Sequence, residues 1–201
     1  MSSKSDGSTS ERIITEAEPL FAAGGFGGTS LSSIARAAGL GNAGLLHHYP
    51  SKAAVYRAVL ESVGTDLERR TSQRLARETN PADEIRALVD VLLALGEQRP
   101  TALMIISQEF LDRSQRIQQA SALPVADIVS TTLRIVRAGQ QDGTVREGDP
   151  LALTTAFHGV LLQGFLGRAV YERTAGLESD DDTWRTTLQD SALAVLLTDP
   201  A

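Results

Sequence analysis

The chain is 201 residues long, 42% hydrophobic and 22% charged, enough for one small module plus one larger core of ordinary globular composition. It contains no cysteine, which removes disulfides, thiol chemistry and cysteine-based zinc sites. The net charge of −6 is unevenly spread: residues 1–60 hold five basic and four acidic side chains, the remainder fourteen and twenty-one, so only the N-terminal part has a positive balance.

Residues 1–9 are polar and serine-rich and predict a disordered tail rather than a signal peptide. A first helix is expected from about Ser10 to Ala23. Pro19 lies inside it; a proline there costs roughly 3 kcal/mol and removes one backbone bond, which predicts a kink near Thr15 and Glu16. Leu31, Ile34, Ala35 and Ala38 then recur at i, i+3, i+4 and i+7, the stripe of a second helix buried on one side. Thr29 and Ser30 offer hydroxyls to its first-turn amides, and Gly39 ends it and turns the chain. A short third helix places Leu45 and Tyr49 on one face and Ala43, Gly44 and His47 on the opposite one. A surface helix normally carries long charged side chains on its outer face, whereas this face is small enough for its backbone to approach another surface closely. Seven helical residues span roughly 10 Å, and the major groove of B-DNA is about 12 Å wide. Two short helices meeting at a glycine turn have the layout of a DNA-reading helix-turn-helix.

The segment Gly25-Phe26-Gly27-Gly28-Thr29-Ser30-Leu31, followed by Ile34-Ala35 and then by Gly44-Leu45-Leu46-His47-His48-Tyr49-Pro50-Ser51-Lys52, resembles the DNA-binding domain of the tetracycline-repressor (TetR) family in order and spacing. The resemblance covers about a quarter of the chain, from Ser10 to about Leu60. It implies that Asn42, Ala43, Gly44 and Leu46 face base edges and that Ser30, His47, His48 and Lys52 hold phosphates. The chemistry agrees for most of these: Asn42 can make a two-pronged contact to adenine, Leu46 can touch a thymine methyl, and the Lys52 ammonium attracts a phosphate. One departure is Gly41, which stands where the family usually has a serine or threonine cap.

Beyond Lys52 the pattern is of helices punctuated by Pro and Gly, and the fold class is all-α, with about nine helices. Helix four is expected from Ser51 to about Glu78, helix five from Pro81 to Gln98, helix six from Thr101 to about Arg113 and helix seven from about Pro124 to Gln141. Asp149 and Pro150 open helix eight, and the acidic run ending at Asp182 leads into helix nine, Thr183 to about Leu197. The domain reading is therefore a tail over 1–9, a helix-turn-helix domain over 10–55 and an effector-binding and dimerisation domain over 56–201. One apolar run, Val91 to Leu95, is far short of a membrane span, and a cytoplasmic protein is expected.

Helix eight is apolar on two adjacent stripes, the second made of Leu162, Phe165, Leu166 and Ala169, and Gly159, Gly164 and Gly167 permit close approach. A twin subunit is expected on that stripe, with Leu188, Ala192 and Leu196 of helix nine beside it. The resemblance implies the same pairing, and two-fold symmetry predicts a palindromic operator. It also implies an effector pocket within helices four to eight. Leu92, Met104, Leu111 and Phe157 are candidate walls, with Ser107, Gln108 and His158 as polar handles. Mostly aliphatic walls suit a small hydrophobic or amphipathic molecule. The expected partners are thus a double-stranded operator, a small-molecule effector and a second copy of the chain.

Two other classes of function predict different features. An enzyme would have to be built on His47 and His48, with Glu61 or Asp66, yet adjacent histidines project about 100° apart on a helix and cannot ligate one metal from one face. No Ser-His-Asp set, phosphate-cradling glycine loop or paired carboxylate stands out, so no catalytic residue, metal or cofactor is expected. A helical adaptor whose helix-turn-helix binds only protein differs from the regulator in an electrophoretic mobility shift.

Overall fold

Short-range capping signals place most of the helix ends in the computed structural model, which describes residues 3–111 and 126–199. Among the described residues there are nine helices: α1 Ser3–Gly28, α2 Leu31–Ala37, α3 Asn42–His48, α4 Lys52–Leu75, α5 Pro81–Gln98, α6 Pro100–Leu111, α7 Ala126–Asp142, α8 Pro150–Ala175 and α9 Asp181–Leu196. The one β feature among them is an isolated bridge between Val145 and Leu197. The expected end of helix six near Arg113 and start of helix seven near Pro124 fall outside the described residues.

The N-terminal helix differs from expectation at both ends. It is helical from Ser3, where a disordered tail was expected, and its departure from helical geometry lies at Gly25 (φ 63°, ψ 178°) rather than near Thr15 and Glu16. Proline's fixed φ is itself helical, so Pro19 is carried within α1, whereas a positive φ is cheap only at glycine. Thr29 also acts on this break instead of capping α2: its hydroxyl donates back to the carbonyls of Leu20 (3.0 Å) and Gly25 (2.9 Å). Ser30 alone caps α2, accepting from Ser33 N at 3.0 Å while Ser33 Oγ accepts from Ser30 N at 3.2 Å, a reciprocal capping box.

The chain divides into two compact units, and the division is not a single cut in the sequence. One unit comprises the residues up to Asp66 together with α6 from Met104 onward; the other comprises Leu67 through Leu103 together with α7, α8 and α9. The first is built on Ile13, Ala17 and Phe21 of α1, Ile34, Ala35 and Ala38 around α2, Leu45 of α3, Val55, Tyr56 and Val59 of α4, and Ile105 of α6, all buried. Phe21 and Phe26 meet the Tyr56 ring edge-on at 4.8 and 5.3 Å. In the second unit, α5 starts at the Asn80 cap with Pro81 in the first turn, α8 at the Asp149 cap with Pro150, and α9 at the Asp180 cap. Its core holds Ile85, Leu88, Leu93, Leu95, Ile135, Val136, Phe157 and Leu161.

Candidate nucleic-acid interface

The turn between α2 and α3 is a Schellman closure: Gly39 N donates to Arg36 O at 3.1 Å and Leu40 N to Ala35 O at 2.8 Å, with Gly39 at φ 66°. This pair of bonds fixes the direction in which α3 leaves α2. Leu45 is fully buried and pins the underside of α3, so Asn42, Ala43, Gly44, Leu46 and His47 are left exposed. Those five include all four residues expected to face bases. A methyl group at Gly44 would meet only Leu40, at an ordinary 3.8 Å, so the fold itself does not require glycine there. Gly41 gives α3 no side-chain cap.

The four residues expected to hold phosphates have divergent settings. Ser30 is exposed but its hydroxyl is engaged in the capping box. His47 is exposed, while His48 is half-buried with Nδ1 3.2 Å from Ser10 Oγ. Ser10, which the sequence did not single out, also bonds the Tyr49 side chain; burial raises the Tyr49 hydroxyl above its ordinary range, with the Ser10 bond opposing and Glu61 reinforcing. Lys52 departs most from its expected role. Its ammonium donates to Phe26 O at 2.7 Å and Thr29 O at 2.9 Å and sits 4.4 Å from the centre of the Phe26 ring. The interruption of helical geometry at Gly25 leaves carbonyls that need a donor, and Lys52 ties that segment to the start of α4 instead of reaching outward. Arg12, Arg36 and Arg57 are exposed and make no ion pair among the described residues.

The effector candidates divide between the two units. Leu92, Phe157 and His158 belong to one; Met104, Ser107 and Gln108 belong to the other, and the Leu111 side chain lies outside the described residues. Met104 is exposed, Ser107 Oγ donates to Met104 O at 2.8 Å, and Gln108 Nε2 donates to Ala22 O at 2.8 Å, while the buried Gln108 Oε1 has no hydrogen-bond partner among the described residues. Phe157 is fully buried, and the half-buried His158 beside it is pushed down to about 4 by burial. Thr132 Oγ1 spends its proton on Ile128 O (2.8 Å), so at 3.1 Å it accepts from His158 Nε2, which places the neutral imidazole's proton on that nitrogen.

The expected interface residues are corrected in part. Leu188, Ala192 and Leu196 are buried within the chain itself, because α9 lies against α8: a Cβ at Gly164 would fall 2.5 Å from Leu188 Cδ1. Phe165 likewise covers Gly96 of α5, where a Cβ would fall 2.6 Å from its ring. Leu162 and Leu166 are half-buried and Ala169 is exposed; nothing lies within 4 Å of a Cβ at Gly159.

Two family models match this chain: bacterial regulatory proteins, tetR family, over residues 13–59, and the tetracyclin repressor-like C-terminal domain over residues 81–195. The chain belongs to the TetR family. The first match contains all of α2 and α3 and every residue expected to touch DNA. The HTH-type transcriptional regulator RutR of Escherichia coli O157:H7 is 24% identical over 69% of this chain and 65% of its own. A nucleoid occlusion factor SlmA from a Marinomonas species is 25% identical over 52% of this chain and 53% of its own. The chain thus spans from about half to just under two thirds of the length of these curated relatives. The structure of AibR in complex with isovaleryl coenzyme A and operator DNA has the same fold, with a TM-score of 0.73 over 90% of this chain and 96% of that one, at 19% identity. The described residues of this chain have the all-α fold of that family, and both matched models are those of regulatory proteins. No helix among its described residues is long and apolar enough to cross a membrane.

Proposed function

We propose that the protein is a ligand-responsive repressor that binds a palindromic operator as a homodimer and is released by a small hydrophobic or amphipathic effector. The observation that carries this reading is the exposed face of α3, where Asn42, Ala43, Gly44 and Leu46 stand clear of the protein while Leu45 anchors the other side. Base reading falls to these four, and phosphate contacts to His47 and the Ser30 region. Few outward cations imply few phosphate contacts, so tight binding requires two such heads acting together. The AibR complex with a coenzyme A thioester and operator DNA supports the combination of effector and operator.

For the dimer, the outer face of α8 is the surface that remains once α9 has covered Gly164. Ala152, Ala156, Gly159, Gln163, Leu166 and Val170 recur along it at helical spacing and are uncharged. A twin α8 packed there would bring Leu166 and Ala169 of the expected set into the contact. Release by an effector requires a coupling of roughly 1 to 3 kcal/mol between the two sites.

The test is selection of bound fragments from random duplex DNA, followed by mobility shift and light scattering. A short palindrome bound by a dimer is expected, with binding lost at least tenfold in Asn42→Ala. A monomer that ignores every duplex overturns the reading in favour of a protein-binding adaptor.

A further inference from the structure

The second half of α4 carries Arg70, Gln73 and Arg74 at i, i+3 and i+4, one helical face; Arg77 follows in the turn just past its end, and α5 sets Asp90, Val91 and Ala94 against them. Together these side chains line a groove of about 360 Å³ inside a single compact unit. The groove shares no residue with α3 or with the expected effector set.

Its walls are rich in donors, some of them held by neighbours and one open. Arg70 Nη1 donates to Gln98 Oε1 at 2.8 Å. Arg74 is braced between Glu78 and Asp90, with Nη2 3.2 Å from Asp90 Oδ2. The acidic group of the lining and its neighbour Glu78 therefore both converge on one guanidinium. Gln73 Oε1 accepts from Arg69 Nη1 at 3.4 Å, and its amide N–H groups remain as donors. Arg77 is exposed and makes no hydrogen bond or ion pair among the described residues, so its planar fork of donors is open. The floor is apolar: Val91 is only 7% exposed, and Ala94 continues it one turn on.

A neutral ligand would leave this excess of donors unmatched, whereas an ionised carboxylate or phosphate offers only acceptors and bonds guanidinium at close to twice the strength of a neutral partner. A purely inorganic ion would leave the floor unused. We propose that the groove binds a small amphipathic anion, its carboxylate or phosphate head held by Arg77 with Arg70 and Gln73 beside it, and a short apolar tail lying along Val91 and Ala94. Such a site is separate from operator reading by α3, and either can hold without the other.

Isothermal titration of the full chain with hexanoate, hexyl phosphate, inorganic phosphate and hexanol tests this. At least one of the two amphipathic anions is expected to bind tenfold or more tightly than both inorganic phosphate and hexanol, and which of them does so identifies the head group. Arg77→Ala should weaken that binding at least tenfold with an unchanged thermal transition, because Arg77 has no internal partner. Arg77→Lys, which keeps the charge and loses the fork, should fall between the two. Val91→Thr should weaken the amphipathic anion and leave inorganic phosphate unaffected. The proposal is overturned if neither anion exceeds hexanol, or if Arg77→Ala binds as the parent chain does.

Discussion

Gly44 of α3 and Gly164 of α8 each leave a bare spot on a helix, yet the structure uses them in opposite ways. At Gly164 the missing side chain is filled from within, by Leu188 of the neighbouring helix. At Gly44 the space faces outward and the nearest atoms, those of Leu40, stand at ordinary contact distance. One glycine serves the protein's own packing; the other leaves room for something that is not part of the chain. The same contrast holds for histidines, with His158 drawn into the second unit and His47 exposed on α3.

The largest effect that sharpens this contrast is a pH dependence. Burial lowers His158 from 6.5 to about 4, so the unfolded chain takes up a proton before the native one does. Stability is unaffected by this group above about 6.5, falls as the pH drops from there to about 4, and levels off below; the loss is up to about 3 kcal/mol. Denaturant titrations of the parent and of His158→Gln across that window should differ in slope, and equal slopes would remove His158 from the interior. Next in size is Gly164→Ala. Overpacking against Leu188 costs about 1–3 kcal/mol, offset by about 1 kcal/mol of helix propensity, so a net loss of about 1 kcal/mol and a Tm lower by about 2–4 °C are expected in calorimetry. The smallest change in stability is at Gly44→Ala, which should gain up to about 1 kcal/mol from propensity alone. Its operator affinity should nevertheless fall severalfold in a mobility shift, because the new methyl occupies the approach to the base edges. Opposite signs of stability change at the two glycines uphold the comparison; a loss at both would break it.

Features legible in the sequence were those set by neighbours three to five residues away. Ser30 with Ser33, Asn80 with Asp83, Asp149 with Ala152, and the Gly39 turn are all local bonds, and the residue types that make them are also those that name them. The outward face of α3 followed from periodicity for the same reason. What local pattern does not encode spans the chain: Lys52 with Phe26 and Thr29, Gln108 with Ala22, Leu188 with Gly164. Each of these side chains is polar or apolar in a way that suits several destinations, and only the packing of distant helices selects among them. The two apolar stripes of α8 illustrate this, since a helix covered twice reads the same whether its second cover is α9 or another subunit.

The inward-turned ammonium of Lys52 bears on how such a protein would find its target. Once that cation is committed to the Phe26 and Thr29 carbonyls, the first sixty residues are left with as many acidic as basic side chains facing other tasks. Random sequence in a genome attracts a protein mainly through its charge, and such attraction lets a searching molecule slide and hop along the duplex. A head group with so little long-range pull would spend less time on wrong sites and depend more heavily on shape fit once it arrives. Ionic strength should then alter its arrival at an operator less than it does for strongly basic regulators.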